Sequence, residues 1–256
     1  MNRVFITGAS SGIGAALASF YARQGAQVAL AGRREAALRQ VRDALPGEGH
    51  RLYVLDVRDR PALHAAAADF QAQGPVDAVI ASAGISVGTL TEQLDDFAVF
   101  QAVMATNVGG TVAAFEPFIA AMKQRGRGCL VGIGSVAGVR GLPGAGAYSA
   151  SKAAVRNYCE SLRVELRASG VKVVTLAPGF VDTPMTAGNP YRMPFLMPAD
   201  EFARRAARAI GQGVSYRVIP WQMGCVGRLL RLVPDGLYDR VAERRKRKPR
   251  LGQGRD

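Results

Sequence analysis

Cysteine, histidine and tryptophan are scarce: 256 residues contain three, two and one of them. Cys129, Cys159 and Cys225 are scattered and odd in number, which argues against a disulfide framework. Neither they nor His50 and His64 fall at metal-ligand spacing, so no metal is expected and a reducing cytoplasm suits the chain best. The opening "MNRVFITGAS" has no long hydrophobic stretch and no cleavage pattern of a secretory signal. No uninterrupted apolar run reaches membrane-spanning length. Acidic residues are also few, 20 against 33 Lys and Arg, for a net charge of +13. Such an excess invites a nucleic-acid reading, but much of it sits in "RVAERRKRKPR" at 240–250. That run carries no recognition-helix motif and no aromatic stacking pattern, so it reads as a solvated tail and no specific nucleic-acid partner is expected.

What is present is an ordinary globular composition, 48% hydrophobic and 21% charged, long enough to bury a real core. Short apolar runs, "RVFIT", "QVALA", "RLYVLDV", "VDAVIAS", "CLVGI" and "VKVVTLA", alternate with helical patterns such as "IGAALASFYARQ" and "PALHAAAADFQAQ". Strands apolar on both faces must be covered on both faces. The expectation is therefore an α/β fold with an open, doubly wound, mostly parallel sheet and helices on each side. Two long helices are expected at about 95–125 and 147–168. The second carries Val155, Tyr158, Cys159, Leu162 and Leu166 as a stripe for the sheet or for another subunit. One domain is expected over 1–220, with an amphipathic, basic extension over 221–256.

Chemistry concentrates at the expected strand ends. "TGASSGIG" places Gly8, Gly12 and Gly14 between the first strand and its helix. There a tight turn brings backbone and a helix N-terminus to a pyrophosphate, although glycines in a turn can also be only a turn. "ALAGRRE" ends the second strand with Arg33 and Arg34 where a carboxylate would read a ribose hydroxyl. Arginine there accommodates a 2′-phosphate and favours NADP(H) over NAD(H); the bland alternative is a solvated helix start. "AYSASKAAVRNY" puts Tyr148 and Lys152 four positions apart on one helical face. A positive charge there would favour the phenolate and lower the tyrosine pKa, unless the pair is only a half-buried ring with a solvated lysine beside it.

Taken in order, "TGASSGIG", "LDV", "ASAG", "MATNVGG", "GIGSVAG", "YSASK" and "APGFVDTPM" make the chain resemble the short-chain dehydrogenase/reductase family over about residues 3–219. The resemblance implies a Rossmann-type sheet of seven strands, with "YRVIP" as the last. It implies Tyr148 as the acid/base, Lys152 as its partner, Ser135 as the carbonyl-binding hydroxyl, and Asn107 as the holder of a water in the proton relay. For the cofactor it implies a pyrophosphate loop of Gly8, Ser10, Ser11, Gly12, Ile13 and Gly14. Asp56 and Val57 would contact the adenine, and Ala83 and Gly84 would lie near the dinucleotide. Pro178, Gly179, Val181 and Thr183 would lie along the nicotinamide, and Tyr148, Lys152 and Asn107 would also face the cofactor. The family usually has two asparagines where Ala81 and Ser82 stand, which puts side-chain bracing of that strand end in question.

The function so implied is reversible hydride transfer between NADP(H) and a carbonyl or alcohol, in a homo-oligomer. Met185, Met193, Phe195, Leu196 and Met197 follow the last motif; a lipophilic substrate would explain them, and so would packing of a lid. Val226, Leu229, Leu230 and Val233, flanked by Arg228 and Arg231, suit a helix that closes the site or contacts a subunit, or one resting on an anionic membrane. A non-catalytic NADP(H) sensor needs no proton relay, and enoyl reduction does not call for the Ser135 and Tyr148 pairing; both stand as alternatives.

Overall fold

The structure, a computed structural model, describes residues 1–244 and 246–252. Its first strand, β1 (Arg3–Thr7), is buried at all five positions, because side chains on successive residues serve two different layers. Val4 and Ile6 join a cluster with Leu17, Tyr21 and Phe202, while Phe5 turns the other way to Phe70, Phe115 and Phe118. Parallel strands buried on both faces read as continuous apolar runs for this reason.

β2 (Gln27–Gly32), β3 (Arg51–Val54), β4 (Ala78–Ala81), β5 (Gly128–Ile133), β6 (Val171–Pro178) and β9 (Tyr216–Ile219) complete a seven-stranded sheet in the order β3-β2-β1-β4-β5-β6-β9. Every pairing is parallel. The chain builds outward from β1 through β2 to β3, then returns to β4 and builds the other way. Such a reversal opens a crevice at the carboxyl ends of β1 and β4. Two short strands, β7 (Val181–Asp182) and β8 (Met197–Pro198), pair with each other outside the sheet.

One face is covered by α1 (Gly12–Arg23), α2 (Glu35–Asp43) and α7 (Ala199–Gln212); the other by α3 (Arg60–Ala72), α5 (Gly110–Gln124) and α6 (Gly146–Glu165). α4 (Asp96–Met104) runs through a single π-helical turn, Ala105–Gly109, into α5. The resulting 29-residue helix is long and apolar enough to cross a membrane by length and composition. Val103, Thr106, Phe115, Phe118 and Met122 are nevertheless buried, and it serves as a core helix. The stripe on α6 packs on the sheet, with Val155, Cys159, Leu162 and Leu166 all in the cluster around Phe5. It is therefore not free for a second subunit.

The extension forms α8 (Trp221–Leu232) and α9 (Asp235–Glu243). Met223 and Gly227 are the buried positions of α8, and a methyl group added at Gly227 would meet Val139 at 3.4 Å. Val226, Leu230 and Val233 are half-buried, whereas Leu229 faces out with Trp221, Leu232, Leu237 and Val241. The expected apolar stripe is thus split between an inner and an outer face. Arg140 clamps the inner face, donating to the carbonyls of Leu230 and Val233, pairing with Asp235 at 2.8 Å and stacking 3.9 Å over the Tyr238 ring.

The basic run does not behave as a wholly solvated tail. Arg240, Arg244, Lys246 and Arg247 are exposed, but Lys248 and Arg250 are half-buried against the body. Long-range pairing with a buried carboxylate overrides what local composition suggests: Arg250 bonds Asp96 at 2.7 Å. Arg245 and residues 253–256 lie outside the described residues.

Phe118 is 1% exposed and its ring lies 5.1 Å from that of Phe5. Phe118→Ala should therefore cost about 3–5 kcal/mol of unfolding free energy, read from urea denaturation.

Candidate active site

The crevice beyond β1 and β4 is floored by the turn into α1. Gly8 sits at φ 66°, and a methyl group on Gly14 would lie 2.3 Å from the Gly8 carbonyl oxygen. The loop is therefore wound so tightly on itself that only glycine fits. Ser11, the residue preceding α1, makes no side-chain cap, which leaves N–H groups of the first turn open toward the crevice for an anion.

Arg34 donates to Ser10 Oγ at 3.1 Å and Ser11 Oγ at 2.7 Å, which hangs a guanidinium over that loop. Arg33 stands 3.8 Å from Asp56 and is mostly exposed. Asp56 lies just past β3 and is held chiefly by Arg58, at 2.7 Å. Hydrogen bonding from Arg58, with Arg33 as a smaller contribution, keeps the Asp56 carboxyl below its ordinary range. Arg58 is a member of this edge that the sequence reading missed; its signal was an arginine two positions after the strand-end aspartate.

At the end of β4, Ala81 is buried and carries no polar group. Bracing comes from elsewhere: the Ala83 N–H donates to Thr7 Oγ1 at 3.2 Å. Ile85 is tied to Asn107 in both directions, its N–H donating to Oδ1 at 2.8 Å and its carbonyl accepting from Nδ2 at 3.0 Å. Nδ2 also donates to Ser151 Oγ at 2.9 Å. The Asn107 side chain is consequently consumed as a brace, and its backbone carbonyl accepts from Thr111 Oγ1 at 2.7 Å. It sits in the π-helical turn, a local departure from the α-helix that recurs at functional sites.

Ser135 follows β5 and accepts from the Ala137 N–H at 3.1 Å, closing a 3₁₀ turn over Val136–Gly138. A methyl group at Gly138 would lie 2.8 Å from the backbone of Lys152 and Ala153. That close approach sets the Ser135 turn directly against α6. Tyr148 and Lys152 lie in the first turns of α6, with the ammonium 5.7 Å from the centre of the phenol ring. Lys152 is 6% exposed, and its Nζ donates to the Ile133 carbonyl at 2.8 Å. A backbone carbonyl has no residue-specific signature, so this partner was invisible in the sequence.

The electrostatics differ from the simple expectation. Burial pushes the Tyr148 phenol above its ordinary range, while the Ser135 hydroxyl beside it pulls the other way. Burial also lowers the Lys152 ammonium, to about 8. Desolvation is the largest influence on the phenol, ahead of the opposing Ser135 hydrogen bond, with Tyr191 adding a smaller upward push, so the expected depression of the tyrosine is not seen.

Gly179 N–H donates to the Ile219 carbonyl at 2.8 Å, and Thr183 is knotted to Thr186, whose Oγ1 accepts the Thr183 N–H at 3.1 Å. All of the residues singled out as cofactor-binding or catalytic line one cleft, Asn107 excepted. Thr106, Ile133, Gly134, Pro184 and Thr186 also line it and were not anticipated. Of the expected substrate-loop residues, Met185 lines the cleft. Met197 is buried in the core, Phe195 and Leu196 are exposed, and Met193 is half-buried. For Met197, ordinary packing is the reading that holds.

A dinucleotide fits this donor set: open helix N–H groups and Arg34 for phosphates, and a buried ammonium with no carboxylate partner among the described residues for hydroxyls. The short chain dehydrogenase family profile matches residues 2–192. An uncharacterized oxidoreductase of Myxococcus xanthus is 39% identical over 93% of this chain and 95% of its own. The cis-4-hydroxycyclohexanecarboxylate dehydrogenase of Sinomonas cyclohexanicum is 34% identical over 92% and 96%. A solved short chain dehydrogenase/reductase family protein superposes with a TM-score of 0.74 at 30% identity, covering 85% of this chain and 95% of the other. Levodione reductase shares the fold, with a TM-score of 0.78 over 87% and 98% at 24% identity.

In the dinucleotide-free protein, Lys152 should titrate near pH 8, which NMR of labelled lysine can follow, with the signal absent in Lys152→Gln. Because its folded pKa lies below the ordinary 10.5, the unfolded chain binds more protons between those values, and this group makes stability rise with pH across that window.

Proposed function

The chain belongs to the short-chain dehydrogenase family, and on that premise we propose that it is an NADP(H)-dependent oxidoreductase interconverting a carbonyl and an alcohol. A bound dihydronicotinamide would supply the hydride for the carbonyl carbon. The observation that carries the reading is the convergence of Ser135, Tyr148 and Lys152 with the glycine loop and the Pro178–Thr183 segment on one cleft.

In this reading Ser135 Oγ holds the carbonyl oxygen while the Tyr148 phenol gives it a proton as negative charge develops there. Lys152 stabilises the phenolate left behind and holds cofactor hydroxyls. In the reverse direction the phenol must act as a base near neutrality. A depression of about two to three units from ~10 asks the surrounding positive charge for roughly 3–4 kcal/mol. A phenol kept protonated by burial is already suited to carbonyl reduction. A non-catalytic sensor would have no use for a hydroxyl turn packed against a phenol and a buried ammonium.

NADP(H) is preferred here because Arg33 and Arg34 stand at the end of β2 without a carboxylate of their own strand, and Arg34 already engages the phosphate loop. The substrate is a small ketone, aldehyde or alcohol; a relative acting on a hydroxycyclohexane carboxylate makes cyclic secondary alcohols worth including in a screen. Homo-oligomerisation belongs to the same reading, with the exposed, stacked Phe97 and Phe100 of α4 as apolar surface available for it. A peripheral membrane contact would use the outward Trp221, Leu229 and Leu232 with Arg228. Three unpaired thiols suit a cytoplasmic location.

Tyr148→Phe should lower turnover by at least ~100-fold with NADPH affinity unchanged; retained turnover would overturn the assignment. Arg34→Ala should weaken NADPH roughly ten- to a hundredfold and NADH much less, measured by cofactor fluorescence.

A further inference from the structure

The carboxyl-terminal strap, residues 246–252, runs back across the molecule to the loop 85–90 that leaves β4. Three contacts hold it there in register. Lys248 Nζ donates to Ser86 Oγ at 2.9 Å, the Gly88 N–H donates to the Pro249 carbonyl at 3.0 Å, and Arg250 grips both oxygens of Asp96 at 2.7 and 3.2 Å. Gly88 and Arg250 form a parallel β-bridge. A methyl group at Gly88 would lie 2.2 Å from the Lys248 carbonyl oxygen, so the loop is shaped to receive the strap.

Asp96 is 4% exposed and holds the other end of the same loop, accepting the Leu90 N–H at 2.7 Å. Asp96 and Arg250 thereby satisfy each other across a long stretch of chain, with Asp95 and Glu92 adding to the negative field around the guanidinium. Removing Arg250 leaves the buried Asp96 carboxylate with the Leu90 N–H and without its cation.

The loop leads directly to the proposed chemistry. Ile85, next to Ser86, is the residue doubly bonded to Asn107. The Thr89 N–H donates to the Gly144 carbonyl at 3.0 Å, four residues before Tyr148. Gly144 in turn lies under the Arg247 side chain, whose Cβ would be 2.9 Å from an added methyl group. The strap therefore ties together two segments, 85–90 and 141–147; Ile85 of the first lines the cleft with Tyr148, and the second runs into Tyr148 along the chain.

We propose that the strap is a built-in closure of the substrate side, and that Arg250 and Asp96 are positioning residues that fix the loop 85–90 for carbonyl binding. Neither of them lines the cleft of the glycine loop. The kinetic consequence rests on the carbonyl-reductase reading; the structural consequence does not.

The test compares the unaltered chain with Arg250→Ala, Asp96→Asn, the double variant and Arg250→Lys. Amide exchange of 85–90 is followed by mass spectrometry, NADPH binding by fluorescence, and kinetics with a homologous series of methyl ketones. The expected result for Arg250→Ala is exchange in 85–90 faster by about tenfold, with the segment 4–14 unchanged. KM for the ketone should rise roughly five- to twentyfold with kcat within about threefold and NADPH affinity unaltered. Asp96→Asn should act like Arg250→Ala, the double variant should add little to either, and Arg250→Lys should recover part of the loss. Unchanged exchange would overturn the strap. Faster exchange with unmoved KM, or with kcat and NADPH affinity falling together, would overturn its positioning role. If the unaltered chain reduces no ketone, the catalytic reading has failed, and exchange alone decides whether the strap holds the loop.

Discussion

A cation buried beside a phenol is the constraint on which the rest of the site depends. Lys152 is almost wholly excluded from water, and its ammonium bonds one backbone carbonyl, that of Ile133. Burying a charge with so little compensation is costly, and the pKa drop to about 8 records that cost. Under the proposed function, cofactor hydroxyls and the phenolate would supply that compensation. The phenol is biased toward its protonated form by the same desolvation. Both groups are thus poised for a ligand that completes their surroundings.

Close backbone approach makes this possible. Gly138 lets the Ser135 turn lie on α6, and Gly8 and Gly14 let the phosphate loop fold on itself. The parallel sheet supplies the frame, since β1, β4, β5 and β6 all end on the same side and deliver their loops to one crevice. Asn107 illustrates the economy of the arrangement: its side chain braces Ile85 and Ser151, so the residue expected in the relay also ties the loop after β4 to α6. Thr7 likewise braces a strand end where asparagine side chains are absent.

Period and punctuation made the parallel sheet, the glycine turn and the Tyr148–Lys152 pair legible in the sequence, while the seventh strand and the rest of the cleft came through the family resemblance. The runs at β1, β5 and β6 are apolar on both faces because each face meets its own helical layer. Features that depend on distant partners were not legible. Arg250 looked like part of a solvated tail because its carboxylate partner lies 154 positions upstream. The π-helical turn that holds Asn107 leaves no mark in "MATNVGG". The α6 stripe could not say which surface it covers, and the sheet proved to be that surface. The tyrosine and lysine spacing announced a coupled pair, but not that burial would dominate the phenol.

The most direct test is an ultraviolet difference titration of the phenol, isolated by subtracting Tyr148→Phe, without and with saturating NADP⁺. The account predicts that the Tyr148 pKa, above its ordinary value in the free protein, falls below that value once the oxidised dinucleotide adds positive charge beside Lys152. A phenol that titrates above ~10 in both states would contradict it.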